Sequence, residues 1–222
     1  MQRFLNLIWL LVLLGACAPT APPLQLPGDC RADLTGEQLL ARHWLLKPDV
    51  WRLRQAALLE IGTTKIPLEG FLRLDLQHRE ARLLAMNELG MVLFDLQVTA
   101  DGEQLQRALP QLQQVKGLAK GVAQSLRQIF FRPQPQPDDL LQNRGSSQLL
   151  WRAVSGGRLE FLFDCRGDLR ETRLQAESGD WRVVYNQYRE YGSARLPEQM
   201  VLNDFQHRVK LSLWLQEVKR ES

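Results

Sequence analysis

The sequence predicts a mostly β fold (α+β), in which about ten strands form a strongly curved antiparallel sheet or open β-barrel. Two observations support this class. From Trp51 onward, apolar and polar residues alternate with a period of two, as in strands that bury one face. Helical spacing is confined to two stretches, which suit a lid over the open side of the sheet. Such a sheet encloses either a close-packed core or an apolar cavity.

The first residues have the features of a bacterial lipoprotein signal. Arg3 precedes an apolar run at 4–14, which is shorter than the roughly 20 residues of a membrane-spanning helix. The letters LGAC, ending at Cys17, resemble a lipobox, whose cysteine is lipidated; the alternative is an ordinary signal peptide with Cys17 nearby by chance. We predict a signal peptide at 1–16, a lipidated Cys17 with a Pro-rich tether at 17–29, and a single domain at 30–222.

Two further features bear on the compartment. Ala18 follows the predicted lipidated cysteine. By resemblance to known lipoprotein sorting, this implies a lipid anchor in the inner leaflet of the outer membrane, with the domain facing the periplasm. Cys30 and Cys165 remain as an even pair in an oxidising compartment, so we expect a disulfide between them; two separately buried thiols are the alternative.

The elements follow in order after the tether. Thr35 and Gln38 have capping-box spacing, which predicts a short amphipathic helix that is ended by Pro48. Helical spacing returns in LQQVKGLAKGVAQSLRQIFF as one apolar stripe, until the prolines of 133–137 break the chain. A second strand group follows, strongest in RLEFLFDC, GDWRVVYNQY and HRVKLSLWL, and no internal repeat is apparent. The first strand group is predicted at 51–61, 66–77, 80–86 and 91–99.

One predicted turn is unusual. The letters NELG at 87–90 lie between two predicted strands, and Asn87 and Gly90 suit a turn. Leu89 and the following Met91 are large and apolar, which makes them a candidate membrane-contact tip. The alternative is that Leu89 folds back onto a neighbouring strand, as scattered surface leucines often do.

The sequence lacks the patterns that catalysis and metal binding require. Its three histidines are scattered, and no HExxH, GxSxG, CxxC or P-loop motif occurs. We therefore expect a non-enzyme without cofactor or metal, and an esterase would need a nucleophile and base that are not evident. The 28 basic and 25 acidic residues are spread along the chain, so we expect no nucleic-acid partner.

Three blocks within about residues 50 to 218 are NELG at 87–90, SLRQIF at 125–130 and a C-terminal block from Trp181 to Leu211. In order and spacing they resemble the LolB family of outer-membrane lipoprotein receptors. The letters SLRQIF at 125–130 are similar to a family helix, and NELG falls where the family has an Asn-Pro-Leu-Gly turn, with Glu88 in place of the proline. The matching residues of the third, C-terminal block are Trp181, Val183, Val184, Tyr185, Tyr188, Pro197, Met200, Leu202, Asp204, Arg208, Lys210 and Leu211.

The resemblance implies an open barrel with a helical lid over an apolar cavity for acyl chains, and a protruding leucine, here Leu89, that helps insert lipoproteins into the membrane. It implies a receptor that takes acylated lipoproteins from a LolA-like periplasmic carrier and inserts them into the inner leaflet of the outer membrane; we expect a monomer. A LolB-like lipid-binding lipoprotein of another export or envelope-assembly pathway and an anchored scaffold with a filled core remain open. The candidate cavity residues are Leu72, Leu74, Val92, Phe94, Phe161, Phe163, Tyr185 and Leu211.

Overall fold

A computed structural model of the chain describes Cys30 and residues 33–131 and 133–221. Within these residues, twelve strands form one antiparallel sheet, which confirms the predicted fold class. The predicted signal peptide, the lipidated Cys17 and the tether lie outside the described residues.

The strands account for most of the described chain. They are β1 (Val50–Ile61), β2 (Thr64–Asp75), β3 (Glu80–Met86), β4 (Val92–Val98), β5 (Glu103–Ala108), β6 (Leu140–Arg144), β7 (Ser147–Val154), β8 (Gly157–Asp164), β9 (Leu169–Ala176), β10 (Gly179–Tyr191), β11 (Ala194–Asp204) and β12 (Val209–Glu221). The helices are α1 (Gly36–Arg42), α2 (Pro110–Gln113) and α3 (Leu118–Leu126), with a 3₁₀ turn at Trp44–Leu46 and a π-helical turn at Arg127–Phe131.

The order of strands in the sheet is β5-β4-β3-β2-β1-β12-β11-β10-β9-β8-β7-β6. The chain therefore starts in the middle of the sheet, runs outward to the edge strand β5, and crosses through the helices to the opposite edge strand β6. It then returns strand by strand until β12 pairs with β1. The helical segment thus joins the two edges of the sheet.

The turns lie at two ends of the sheet, because every pair of neighbouring strands is antiparallel. The pairs Ile61↔Val209 and Met86↔Glu69 place the turns at 62–63, 87–91 and 205–208 at one end, which we call the tip end. The turn at 165–168, between β8 and β9, lies at the opposite end, which we call the disulfide end.

Two strands had no clear sequence signal. They are the edge strands β5 (EQLQRA) and β6 (LLQNR), whose residues are mostly or entirely exposed. An edge strand has one neighbour and buries little side-chain area here, so no alternation of apolar and polar residues marks it. The sheet therefore has twelve strands where about ten were expected.

The apolar stripe at 112–130 does not form one helix. Gly117 has a left-handed backbone (φ 79°) and separates α2 from α3, and the chain then widens into the π-helical turn. Helical spacing alone did not predict this break, because glycine is tolerated inside many helical patterns.

Aromatic side chains fill the interior over β8, β10 and β11; we call this region the filled half. The rings of Trp44 and Phe130 meet edge to face, with centroids 6.3 Å apart, and His43 meets Phe163 at 6.1 Å. The hydroxyl of buried Tyr185 donates a hydrogen bond to the backbone oxygen of Ile129 at 3.1 Å, so β10 holds the π-helical turn in place.

The N-terminal segment is fastened to the disulfide end. Cys30 and Cys165 form a disulfide with their Cα atoms 5.8 Å apart. The guanidinium of Arg42 also donates to the backbone oxygen of Arg166 at 2.9 Å. The predicted capping box of α1 is present, so the helix begins where the sequence indicates.

Two turns share the pattern Asp-X-Gln-His-Arg, at 75–79 and 204–208, although no internal repeat was expected. In each, the aspartate side chain accepts a hydrogen bond from the backbone N–H of the histidine, at 3.0 and 2.9 Å. The backbone of the arginine is left-handed in both turns, with φ of 55° and 54°. Aspartate commonly closes turns in this way. The repeat is thus a shared turn geometry, not a repeated domain.

Candidate functional site

A cavity of about 500 Å³ lies between the inner face of the sheet and the segment 115–126. This volume falls within the roughly 300–1,000 Å³ that is usual for ligand pockets. The segment is positioned over the sheet because α3 packs against β4 and β5. Most of the lining is apolar; representative residues are Ala57, Leu59, Leu68, Leu83, Val122 and Leu213.

Strand β1 shows how the sequence builds the cavity. Gln55, Ala57, Leu59 and Ile61 occupy alternate positions and all line it. Ile61 is exposed at the tip end, whereas Gln55 is buried. They are six positions apart, which at about 3.3 Å per residue gives a depth of roughly 20 Å, the scale of an extended fatty acyl chain. The cavity therefore opens at the tip end and is deepest near Gln55.

The cavity wall is narrower than the sequence predicted. Of the predicted residues, Phe94 and Leu211 line the cavity. Five others are buried in the adjoining core and do not line it, and Val92 is half-buried outside the wall. Alternation identifies which face of a strand is inward, but not which part of that face the helical segments fill. The five core residues are Leu72, Leu74, Phe161, Phe163 and Tyr185.

Charged groups surround the cavity. Asp204 lies 2.9 Å from the His207 ring, and Glu69 forms an ion pair with Arg54 at 2.5 Å. Lys116 and Lys120 also line the cavity and are exposed, and among the described residues neither has an ion-pair partner. A bound chain with an anionic end would therefore meet unpaired positive charge beside the helical wall.

The turn between β3 and β4 projects Leu89 into solvent, where its side chain is 91 % exposed. The Asn87 side-chain oxygen accepts hydrogen bonds from the backbone N–H groups of Leu89 and Met91, at 3.0 and 2.9 Å. The turn is closed by asparagine, so Leu89 does not need to fold back to complete it. Met91 is 49 % exposed beside it.

Exposed apolar side chains concentrate around the mouth of the cavity. In the part of the chain that the structure describes, eleven large apolar side chains are exposed, and six of them lie at the tip end or the cavity mouth. An apolar cluster of this kind marks a surface that contacts another molecule or a membrane. The six are Ile61, Ile66, Leu89, Met91, Val115 and Phe205.

Solved structures share this architecture. A LolA superfamily protein from Nitrosomonas europaea aligns with 86% of this chain and 95% of its own, with a TM-score of 0.55 and 10% identity. The chain has a LolA-like fold. A protein domain from Vibrio parahaemolyticus, named for outer membrane lipoprotein sorting, covers 84% of this chain and 90% of its own, with a TM-score of 0.54 and 9% identity. At such identity the likeness concerns the fold alone, and no family model and no curated protein matches the sequence.

The described residues contain neither a membrane-spanning helix nor a cluster of metal-binding side chains. Within residues 33–131 and 133–221, no helix is long and apolar enough to cross a membrane. Over the same residues, no group of three or more histidine, cysteine, aspartate or glutamate side chains could hold a metal ion.

Sequence reasoning missed Gln55 and treated the segment 115–126 only as a lid. For the segment 115–126, the apolar stripe in the sequence could have indicated a part of the cavity wall, but it was assigned only to a lid. For Gln55, the signal was a polar residue at an inward position of an alternating strand, between Leu53 and Ala57. Such a residue usually needs a buried hydrogen-bond partner.

Proposed function

We propose that this protein is an outer-membrane-anchored receptor for acylated lipoproteins. It accepts acyl chains from a soluble periplasmic carrier into its cavity and releases them into the inner leaflet of the outer membrane. One observation carries the proposal: an apolar cavity opens at the same end of the sheet as the exposed Leu89. The LolA-like fold is consistent with this role, which requires no covalent chemistry.

The energetics of such a transfer favour a cavity of this kind. Each buried methylene contributes about 0.8 kcal/mol, so an acyl chain leaves one apolar site only for another of comparable apolarity. Burial of one leucine contributes about 1.5–3 kcal/mol. Insertion of Leu89 would therefore hold the cavity mouth against the bilayer briefly, without fixing it there.

The test is a two-step transfer assay with a soluble Cys17→Ala form. Purified carrier loaded with a fluorescent lipoprotein is mixed with the protein, and cargo is followed first onto the protein and then into liposomes. Leu89→Glu is compared with Leu46→Glu, which changes an exposed leucine beside the start of β1, away from the tip end.

We expect all three proteins to take cargo from the carrier. Leu89→Glu should deliver to liposomes at least tenfold more slowly, because a charged side chain cannot enter the apolar part of the bilayer. Leu46→Glu should deliver normally. Failure of the parent protein to take any cargo would contradict the receptor function, and equal delivery by Leu89→Glu would contradict the role of the tip.

Glu88 favours a second function with the same cavity. This exposed carboxylate lies beside Leu89 and opposes insertion into a membrane with anionic lipids. A lipid-binding lipoprotein of another envelope pathway would need the cavity but not deep insertion of the tip. Extraction of the purified protein and mass spectrometry of its bound lipids would identify such a cargo, and recovery of no apolar ligand at all would count against it.

A further inference from the structure

The deep end of the cavity contains a polar group without a partner. Gln55 is 2 % exposed, and its side-chain Oε1 makes no hydrogen bond. Among the described residues, eight other buried side-chain atoms also lack partners, but none of them belongs to a residue that lines the cavity. Within the described chain, the amide of Gln55 is therefore the buried side chain of the cavity wall that has an unpaired polar atom.

The surrounding residues make room for this amide. Gly70 is paired with Gln55 across the sheet, and a Cβ atom there would lie 3.2 Å from both Cγ and Nε2 of Gln55. The pairing of β1 with β12 also shifts register between Arg54 and Gln55. Such irregularities re-aim side chains and occur often beside functional sites. An apolar residue would complete this wall without leaving a buried polar atom unpaired.

The chemistry of the amide defines what it can bind. A glutamine side chain offers an acceptor oxygen and a donor nitrogen, and a hydroxyl group can both donate and accept a hydrogen bond. The neighbouring wall residues Leu83 and Phe94 are apolar, so the part of the bound molecule next to the hydroxyl has to be a hydrocarbon. A single water molecule is a poor alternative, because ordered buried waters usually need two to four polar partners.

We propose that the cavity selects aliphatic chains that carry a hydroxyl group and that Gln55 binds this hydroxyl at the deep end. The inference rests on the proposed function in one respect, namely that the cavity admits acyl chains. The hydroxyl reaches Gln55 from one of two sources: the far end of a chain that enters tail first, or the head of a chain that enters head first. In the first case an anionic head remains near Lys116 and Lys120 at the wall.

The experiment measures binding of three probes to the soluble Cys17→Ala form by displacement of a fluorescent apolar dye. The probes are hexadecanoic acid, 16-hydroxyhexadecanoic acid and 1-hexadecanol. Gln55→Met removes the amide with little change in side-chain length. Leu213→Met is the matched control, since it changes a buried apolar residue of the same wall.

For each protein, the measured quantity is the affinity for a hydroxylated probe divided by the affinity for hexadecanoic acid. We expect this ratio to be about three- to tenfold higher for the parent protein than for Gln55→Met, the usual effect of one hydrogen bond. Leu213→Met should keep the preference of the parent. Loss of preference for 16-hydroxyhexadecanoic acid identifies tail-first entry, and loss for 1-hexadecanol identifies head-first entry.

Two results would overturn the inference. If the parent protein binds all three probes but Gln55→Met leaves their relative affinities unchanged, the role of Gln55 is wrong while the cavity still admits acyl chains. If no probe binds the parent protein, the proposed function fails together with the inference.

Discussion

His43 is buried in the filled half, with 2 % of its surface exposed. Its ring Nε2 lies 3.0 Å from the side-chain oxygen of Gln134, whereas Nδ1 has no partner. Burial lowers the pKa of His43 from its ordinary value of 6.5 to about 4, and the hydrogen bond to Gln134 opposes this only in part. The native protein therefore keeps this histidine neutral where the unfolded chain would protonate it.

This difference makes stability depend on pH. Between pH 6.5 and about 4 the unfolded state binds a proton that the native state does not, so the free energy of unfolding falls as pH falls. We expect a slope of up to about 1.4 kcal/mol per pH unit from this group. Urea unfolding at pH 7, 5.5 and 4.5 should show a shallower slope for His43→Gln, and an unchanged slope would contradict the assignment.

At the scale of residues, the sequence identified the features that depend on local chemistry. Asn87 and Gly90 indicate a turn whatever surrounds them, so the turn could be predicted, whereas the exposure of Leu89 was one of two alternatives that the structure decides. The position of Gln55 at the closed end of a cavity could not, because it depends on which part of the sheet α3 covers. The burial of His43 depends in the same way on aromatic residues distant in sequence.

At the scale of elements, the disulfide links Cys30, which precedes α1, to Cys165 in the turn between β8 and β9, 135 positions later in the sequence. Such a link restricts the unfolded chain, and the segment that it fastens continues through α1 into the 3₁₀ turn at Trp44–Leu46, which packs against β11. Cys30→Ser combined with Cys165→Ser should lower the free energy of unfolding by about 2–5 kcal/mol. Chemical denaturation of the oxidised parent and the double variant measures this effect.

Hydrogen exchange adds a control for that prediction. In the double variant, amides of α1 should exchange faster. The exchange rates of amides in β2 and β3, on the far side of the cavity, should rise only as far as the lower free energy of global unfolding requires. Uniformly faster exchange in all elements would show that the disulfide does not act through α1.

Elements differ in how clearly the sequence marked them. Strands β1 to β4 agree with the predicted bounds within about two residues, because each buries one face and so alternates. The edge strands lack that signal, and the helical stripe was read as continuous because only the backbone reveals the left-handed Gly117. Boundaries were thus predictable where burial is regular and not where the chain changes direction.

At the scale of the molecule, the point where the predicted tether joins the domain and the tip lie at opposite ends of the sheet. The disulfide holds Cys30 at the disulfide end, whereas the cavity opens at the tip end, about 40 Å away by the length of the twelve-residue β1. The 13 residue-to-residue steps from Cys17 to Cys30 span at most about 45 Å when fully extended. With the strands upright on the bilayer, a lipid on Cys17 and the tip can therefore reach the same membrane only if the tether is almost straight.

Shortening the tether tests this geometry. Deletion of residues 20–23 removes about 14 Å of reach. The lipidated protein should then fail to deliver cargo to the vesicle that holds it, while still delivering to separate acceptor vesicles. Replacement of the deleted residues by another Pro-rich tetrapeptide should restore delivery. Normal delivery by the shortened form to its own vesicle would contradict the geometry.

This arrangement gives a physical reason for the proline content of the predicted tether, which is that the tether needs a long span. A glycine- and serine-rich segment of 13 residues would coil to an average span of about 20 Å, half of what is required, whereas proline favours an extended chain. The domain would then stand with its disulfide end away from the bilayer and its tip end facing the bilayer, held by an extended tether. The length of the tether would decide whether the cavity mouth can deliver cargo to the membrane that holds the protein.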